Sequence, residues 1–363
     1  MAFQLPKYHQ PDFSSPKLLN APNCSIAASP ADGIVPNNYH GTSMFPEYFK
    51  IDGQWRLAEE SRMDSVVVLR DNGNLDVVEP RNVKKGDKVL LGRSENGEEG
   101  VYLHTKGFFV EKEPEEQFVF RTNRSRETAF SKDYDTLYEL LKHEKEYGHI
   151  TWTMGPAFAF DNDSRRAMQS LIEAGYMHGL LAGNALATHD LEAGLLRTAL
   201  GQDIYTQKAH TNGHYNHLDV LNLARCSGSI PKFIKDNNIN DGIMYACVKH
   251  SVPYVLTGSI RDDGPLPGVI ADVYEGQNRM RELVRPATTV ICLATQLHTI
   301  ATGNMTPCFR VVNCEVRPLY IYSIDISEFA VNKLSDRGTL SAVSLVTNVQ
   351  DFIVNVAKGL EVY

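Results

Sequence analysis

The chain has no Cys-x-x-Cys pair, no long apolar run and no excess of basic residues. Each of these absences narrows what it can do. The six cysteines are scattered, and Cys226, Cys247 and Cys292 stand among apolar neighbours. That is the pattern of reduced core thiols in a cytoplasmic protein, not of a disulfide frame or a zinc site. A membrane helix needs ~20 apolar residues in a row, and no stretch comes close, so no membrane association is expected. Residues 1–20 mix prolines with charges and lack an apolar core, which predicts an extended arm instead of a signal peptide. With 44 acidic against 36 basic residues the net charge is −8, which disfavours a nucleic-acid partner. Also absent is any Gly-x-Gly-x-x-Gly after a strand-like run, the glycine fingerprint of dinucleotide-binding turns.

What the chain does have is an apolar run at 253–257 that empties into Gly258-Ser259-Ile260-Arg261-Asp262-Asp263-Gly264-Pro265-Leu266-Pro267. A strand that opens into glycines, prolines, one cation and two adjacent carboxylates marks the carboxyl edge of an open α/β sheet. The 363 residues predict two domains. Residues 1–43 show no sustained period and read as an irregular arm, suited to packing on a neighbouring subunit in a homo-oligomer. Short strand-like runs separated by Asp52-Gly53, Asn72-Gly73, Gly86-Asp87 and Asn96-Gly97 predict a small all-β, barrel-like domain over 44–112. A charged linker and a helix follow over 113–149, with Leu137, Leu140 and Leu141 on one helical face. From 150 to 363 strands and helices alternate, which specifies an α/β fold: a mostly parallel sheet with helices on both faces.

Parallel strands deliver their carboxyl ends to one rim, so their loops should converge. Gly155-Pro156, Asn184-Ala185, Ser259, Thr295, Asn304 and Asp325 lie in such loops and are the candidate dinucleotide contacts. Free amides at helix starts suit a phosphate. Asp325 stands where a carboxylate accepts ribose hydroxyls, and equally where it caps a helix. Asn184 could likewise be a cap. Asp262 and Asp263 repel each other, which favours an acid/base role for the pair, and Arg261 can grip a substrate carboxylate in a bidentate fork. The alternative is a loop in which Arg261 only neutralises Asp262. His189 and His217 are candidate proton relays or structural histidines bonded to backbone carbonyls, and His298 sits in an apolar run that reads as core. No histidine or cysteine spacing fits a metal site, so no metal is expected.

The chain resembles the archaeal-type ornithine cyclodeaminases, which carry an LOR/SDH region ahead of a Rossmann-like NAD domain. The resemblance rests on residues 180–190, 242–245, 258–267, 297–304 and 333–338, and on Arg62-Met63-Asp64 and residues 83–87 for the LOR/SDH region. It implies a Rossmann-like fold after the β domain, with NAD as cofactor. It implies conversion of L-ornithine, or a close diamino-acid analogue, to L-proline and ammonia with internal recycling of NAD. The related readings are an amino-acid or imine oxidoreductase on the same scaffold and a catalytically silent NAD-binding subunit. Under the resemblance, Arg261, Asp262 and Asp263 carry the carboxylate clamp and acid/base roles, and Arg62 and Asp64 could enter from the β domain; His217 joins the catalytic candidates as a proton relay on the reading of the residues alone. Near Phe160-Asp161 the family usually has a histidine-threonine pair, which this chain lacks.

Overall fold

A computed structural model describes residues 3–108, 131–262, 264–327 and 342–363. Asp263, the charged segment at 111–116 and all but the first residue of the helix expected at 327–336 lie outside the described residues.

The β region is built from a short helix α1 (Pro16–Leu19) and strands β1 (Ile26–Ala28), β2 (Glu47–Ile51), β3 (Gln54–Ala58), β4 (Val66–Leu69), β5 (Leu75–Val78), β6 (Lys88–Leu90) and β7 (Val101–Leu103). They form two antiparallel sheets, β1-β6-β4-β5 and β3-β2-β7, instead of one barrel. Phe49, Ile51, Val67, Val77, Leu90 and Val101 fill the core between them. Val66 and Val68, on the other face of β4, pack with Val83 and Val89. The arm is not irregular throughout. Ile26, Ala27 and Ala28 pair with Leu90, Val89 and Lys88. Lys50 Nζ donates to the carbonyls of Leu19 and Ala21 at 2.8 and 2.7 Å, and Phe13 stacks on Trp55. The arm therefore wraps its own β region. A three-residue strand is too short to show a period, so the sequence did not reveal it.

The second region contains helix α2 (Ser131–Tyr147), strand β8 (Ile150–Met154), helix α3 (Asn162–Glu173), strand β9 (Gly179–Gly183) and helix α4 (Asn184–Leu196). A two-residue ladder comes after it, β10 (Thr198–Ala199) with β11 (Gln202–Asp203). Next come α5 (Asn216–Ser227), α6 (Ile230–Asp236), α7 (Ile243–Lys249), β12 (Tyr254–Thr257), α8 (Val273–Val284), β13 (Thr289–Leu293) and α9 (Gln296–Met305). A hairpin of β14 (Phe309–Val312) and β15 (Glu315–Pro318) leads to β16 (Tyr320–Asp325), β17 (Ala342–Val346) and a last helix α10 (Val349–Gly359). Six strands make one wholly parallel sheet in the order β12-β9-β8-β13-β16-β17.

Both faces of this sheet are covered, and its strands read accordingly. All five residues of β13 are fully buried, with Ile291 and Leu293 on one side and Val290 and Cys292 on the other. Trp152 on β8 is fully buried, and its indole N–H donates to the Tyr176 carbonyl at 2.8 Å. Two polar knots tie the layers together. Asp190 accepts from Arg165 Nε at 2.6 Å and from the first amides of α7, Ile243 and Met244, at 3.0 and 2.7 Å. Gly242 is required there, because its φ is +109° and a side chain would strike Arg165. Glu144, fully buried on α2, accepts from Arg317, His143 and the Thr288 hydroxyl. Burial raises its pKa, but these donors outweigh burial and hold the carboxyl below its ordinary range.

Candidate active site at the switch point of the sheet

Numbered along the chain, the sheet order is 3-2-1-4-5-6, and its reversal falls between β8 and β13. Open α/β sheets bind ligands in the crevice outside this point. Here the crevice is a cavity of about 370 Å³, within the size range of small-molecule sites. Its walls come from the ends of four strands. They are Gly155 and Pro156 after β8, Asn184 and Ala185 after β9, Ser259, Arg261 and Asp262 after β12, and Thr295 and His298 after β13. Leu200, His217 and Leu221 close the side.

Gly155 stands at the seam. Its amide donates to the Leu293 carbonyl at 2.9 Å, and a Cβ there would lie 2.0 Å from the Ala294 carbonyl oxygen. Only a bare backbone allows β8 and β13 to close at the rim. The helices around the cavity share another feature. Helices α3, α6, α8 and α10 have side-chain N-caps, from Asp161, Ser229, Asp272 and Asn348. Helices α4, α5 and α9, which contribute the cavity walls, have none. Helix α5 runs on from the turn at 213–215, whose Gly213 carbonyl takes the Asn216 amide; the first amides of α4 and α9 are left without a capping side chain beside the cavity, an arrangement suited to an anion.

The 258–267 loop is fixed at three points. At its base Gly258 N donates to Ile270 O at 2.8 Å, and Ile270 N to Leu256 O at 2.9 Å. Near its far end Leu266 N donates to Asn184 Oδ1 at 2.9 Å. At its tip Asp262 Oδ2 accepts from Ser259 N at 2.7 Å. Asp262 therefore shapes the turn. It does not neutralise Arg261, whose exposed side chain forms no ion pair among the described residues.

Helix α4 supplies the most elaborate polar arrangement. Glu192 is fully buried, yet its carboxylate receives the Thr198 hydroxyl at 2.8 Å, Gly201 N and Leu200 N each at 3.0 Å, and His189 Nδ1 at 3.0 Å. The two amides come from the turn between β10 and β11, where Leu200 and Gly201 both have positive φ (52° and 73°), the primed-turn geometry. Burial pushes the Glu192 carboxyl up, but the bonds from His189, Gly201 and Thr198 outweigh it and hold the pKa down. A charged carboxylate only accepts, so His189 Nδ1 carries the proton and Nε2 is left as a base. The His189 ring lies 6.1 Å from that of His217 and 5.3 Å from Phe160. His217 Nδ1 is buried with no partner among the described residues. His298 is not simply core. It lines the cavity, with Nε2 3.3 Å from the Thr257 hydroxyl, and burial pushes its pKa down.

The structure thus brings Gly155, Pro156, Asn184, Ala185, Ser259, Thr295, Arg261, Asp262 and His217 to one cavity. Asn304 and Asp325 are not among its walls. Asn304 lies near the carboxyl end of α9, at a second cavity against the β region. Asp325 ends β16, and its Oδ1 accepts from Ser327 N, two residues on, at 2.9 Å. Arg62 and Asp64 do not enter the site either. Arg62 is buried against Glu79, at 2.6 and 3.0 Å, and Asp64 faces the second cavity. Asp161, at the position of the family's histidine-threonine pair, caps α3 through Ser164 N. Among the described residues no cluster of three His, Cys, Asp or Glu side chains could hold a metal ion. Sequence reasoning missed Glu192; its spacing of three from His189 within a helix was the available signal.

Comparison with known proteins gives a consistent set of likenesses. The family model described as arginine dihydrolase ArgZ-like, C-terminal, Rossmann fold matches residues 136–356. An ornithine cyclodeaminase of Methanocaldococcus jannaschii is 36% identical over 344 residues, 91% of this chain and 76% of that protein. One from Methanothermobacter thermautotrophicus is 38% identical over 333 residues, 90% of this chain and 76% of its own. Among solved structures, a conserved putative LOR/SDH protein of Methanococcus maripaludis has a TM-score of 0.84 at 33% identity, covering 94% of this chain and 98% of that one. A ternary complex of AgrE with ornithine and NAD+ has a TM-score of 0.59 at 29% identity, covering 94% of this chain and 46% of that one.

Proposed function

We infer the chemistry of the cavity from one premise: the chain belongs to the ArgZ-like C-terminal Rossmann-fold family, and it is an NAD-dependent ornithine cyclodeaminase that converts L-ornithine to L-proline and ammonia. The observation that carries the reading is the cavity itself. It lies at the switch point of a 3-2-1-4-5-6 sheet, and the helices in its walls lack side-chain caps. These features fit a dinucleotide: the amides of α4 and α9 suit its pyrophosphate. When bound, NAD takes up and returns the hydrogen of the substrate's α-carbon.

The chain's own residues supply positioning and proton transfer. Arg261, free of any carboxylate partner among the described residues, grips the substrate carboxylate and fixes the α-carbon. Ring closure requires the δ-nitrogen to lose a proton as it attacks that carbon. The α-nitrogen must gain one to leave as ammonia. His189 Nε2, oriented by Glu192, serves both transfers, and His217 is the second proton carrier. Asp263, which follows Asp262 in the Arg261 loop, is assigned on sequence grounds as an additional acid/base. The Asn184–Leu266 bond ties the Arg261 loop to the start of α4 at the cavity.

The test is to incubate the protein with L-ornithine and NAD. L-proline and ammonia should form in equal amounts with no net change in absorbance at 340 nm. Accumulating absorbance without proline would refute the reading in favour of a simple dehydrogenase. We further propose a cytoplasmic homo-oligomer. All six cysteines are unpaired, and Leu297 and Val273 are highly exposed. Among the described residues no helix is long and apolar enough to cross a membrane.

A further inference from the structure

A second cavity, of about 610 Å³, lies between the β region and α8. Two guanidinium groups, Arg81 and Arg281, line it, and Arg62 and Arg285 stand close to Arg281. Glu79 already accepts from Arg62 at 2.6 Å and pairs with Arg281 at 2.8 Å. Glu60 pairs with Arg285 at 3.2 Å. Arg81 has no carboxylate among the described residues. One of its nitrogens donates to the neutral Asn278 Oδ1 at 2.8 Å, its plane covers Tyr274, and its Nε is buried without a partner. Burial, and after it the neighbouring Arg62, Arg81 and Arg285, push Arg281 down to about 10 against the pull of Glu79. Elsewhere in the cavity stand two groups of opposite demand: the Asp64 carboxylate, and Asn304, whose Oδ1 is buried and unpartnered among the described residues.

We propose that this cavity is a second binding site, for a free α-amino acid, with the carboxylate at Arg81 and the ammonium at Asp64 and Asn304 Oδ1. A zwitterion satisfies both walls. A simple dianion such as phosphate would satisfy Arg81 but be repelled by Asp64 and Glu79. The site is separate from the switch-point cavity but linked to it by α9. Thr295 and His298, at the start of α9, line the first cavity; Asn304 and Met305, at its end, line the second.

The test is calorimetric titration of the full chain without NAD, in an Arg261→Gln background that removes the clamp of the first cavity. L-proline, glycine and L-ornithine are titrated separately. At least one should bind saturably. Arg81→Gln and Asp64→Asn should each weaken that binding tenfold or more without lowering the melting temperature; asparagine tolerates the left-handed backbone of residue 64, where φ is 60°. The proposal is overturned if none of the three binds, if binding is unchanged in both variants, or if inorganic phosphate binds equally well. Proline formation by the unaltered chain is measured separately, so failure here is distinct from failure of the cyclodeaminase reading.

Discussion

Replacing Glu192 with glutamine keeps the shape of the side chain and removes its charge, and the surrounding donors set the cost. The carboxylate has two donors on each oxygen: Thr198 and Gly201 on one, Leu200 and His189 on the other. A glutamine has a single oxygen, so either orientation turns its amide N–H toward a backbone N–H. The better choice keeps the oxygen on His189 and Leu200, because the Thr198 hydroxyl can rotate. The amide of Gly201 is then left unpaired in a buried place, at a cost of about 1–3 kcal/mol. His189 keeps an acceptor but loses a charged one, a difference of about 1–1.5 kcal/mol and hence a rate loss of roughly tenfold. His189→Ala removes the base itself and should lower kcat by about 10²–10⁴. The assay is L-proline formation at saturating L-ornithine and NAD between pH 6 and 9, with urea unfolding alongside. If His189→Ala keeps the kcat of the unaltered chain while its stability falls, the pair is only a structural tie and the proton-transfer assignment is wrong.

Other substitutions test the remaining walls. Gly155→Ala should force β8 and β13 apart at the rim, lowering stability by about 1–3 kcal/mol and weakening NAD binding, as urea unfolding and nucleotide titration would show. Arg261→Lys should raise KM for L-ornithine by about 10–100-fold with little change in NAD affinity, because one ammonium cannot replace a planar fork; an unchanged KM would remove the clamp. His149 is held neutral in the fold: burial, then His178 and Arg310, push it from the ordinary 6.5 down to about 4. Between those values the unfolded chain binds the extra proton, so this contribution is complete above pH 6.5 and is lost as pH falls toward 4. Allowing for solvent screening it amounts to about 1–2 kcal/mol, and His149→Gln should flatten the stability profile in that window alone.

The sequence made the scaffold legible because parallel strands buried on both faces are apolar throughout and end in glycine or small polar residues. β8, β9, β12 and β13 all show this, and their loops do meet. Elements whose geometry comes from unusual residues were not legible. The β14–β15 turn places Asn313 and Cys314 at φ 53° and 66°, a conformation usually signalled by Asn-Gly. Helix α6 hides behind Ser229-Ile230-Pro231, although Ser229 caps it through Lys232 N. Asn304 was misplaced because residues 302–304 read as a loop, whereas they close α9 at the end remote from the switch point. Glu192 was overlooked because an acidic residue in a helix reads as solvated, and its burial is tolerable only through amides from a turn that the sequence does not announce.

The bond from Leu266 to Asn184 has a mechanical consequence. Asn184 opens α4, and the Glu192–His189 pair lies two turns further along the same rod. Whatever displaces the loop bearing Arg261 therefore pulls on the helix that holds the imidazole, so the grip on one end of a substrate and the placement of the proton carrier move as one piece. A side chain at position 184 without an acceptor would unhitch them, leaving each half intact but no longer in register with the other.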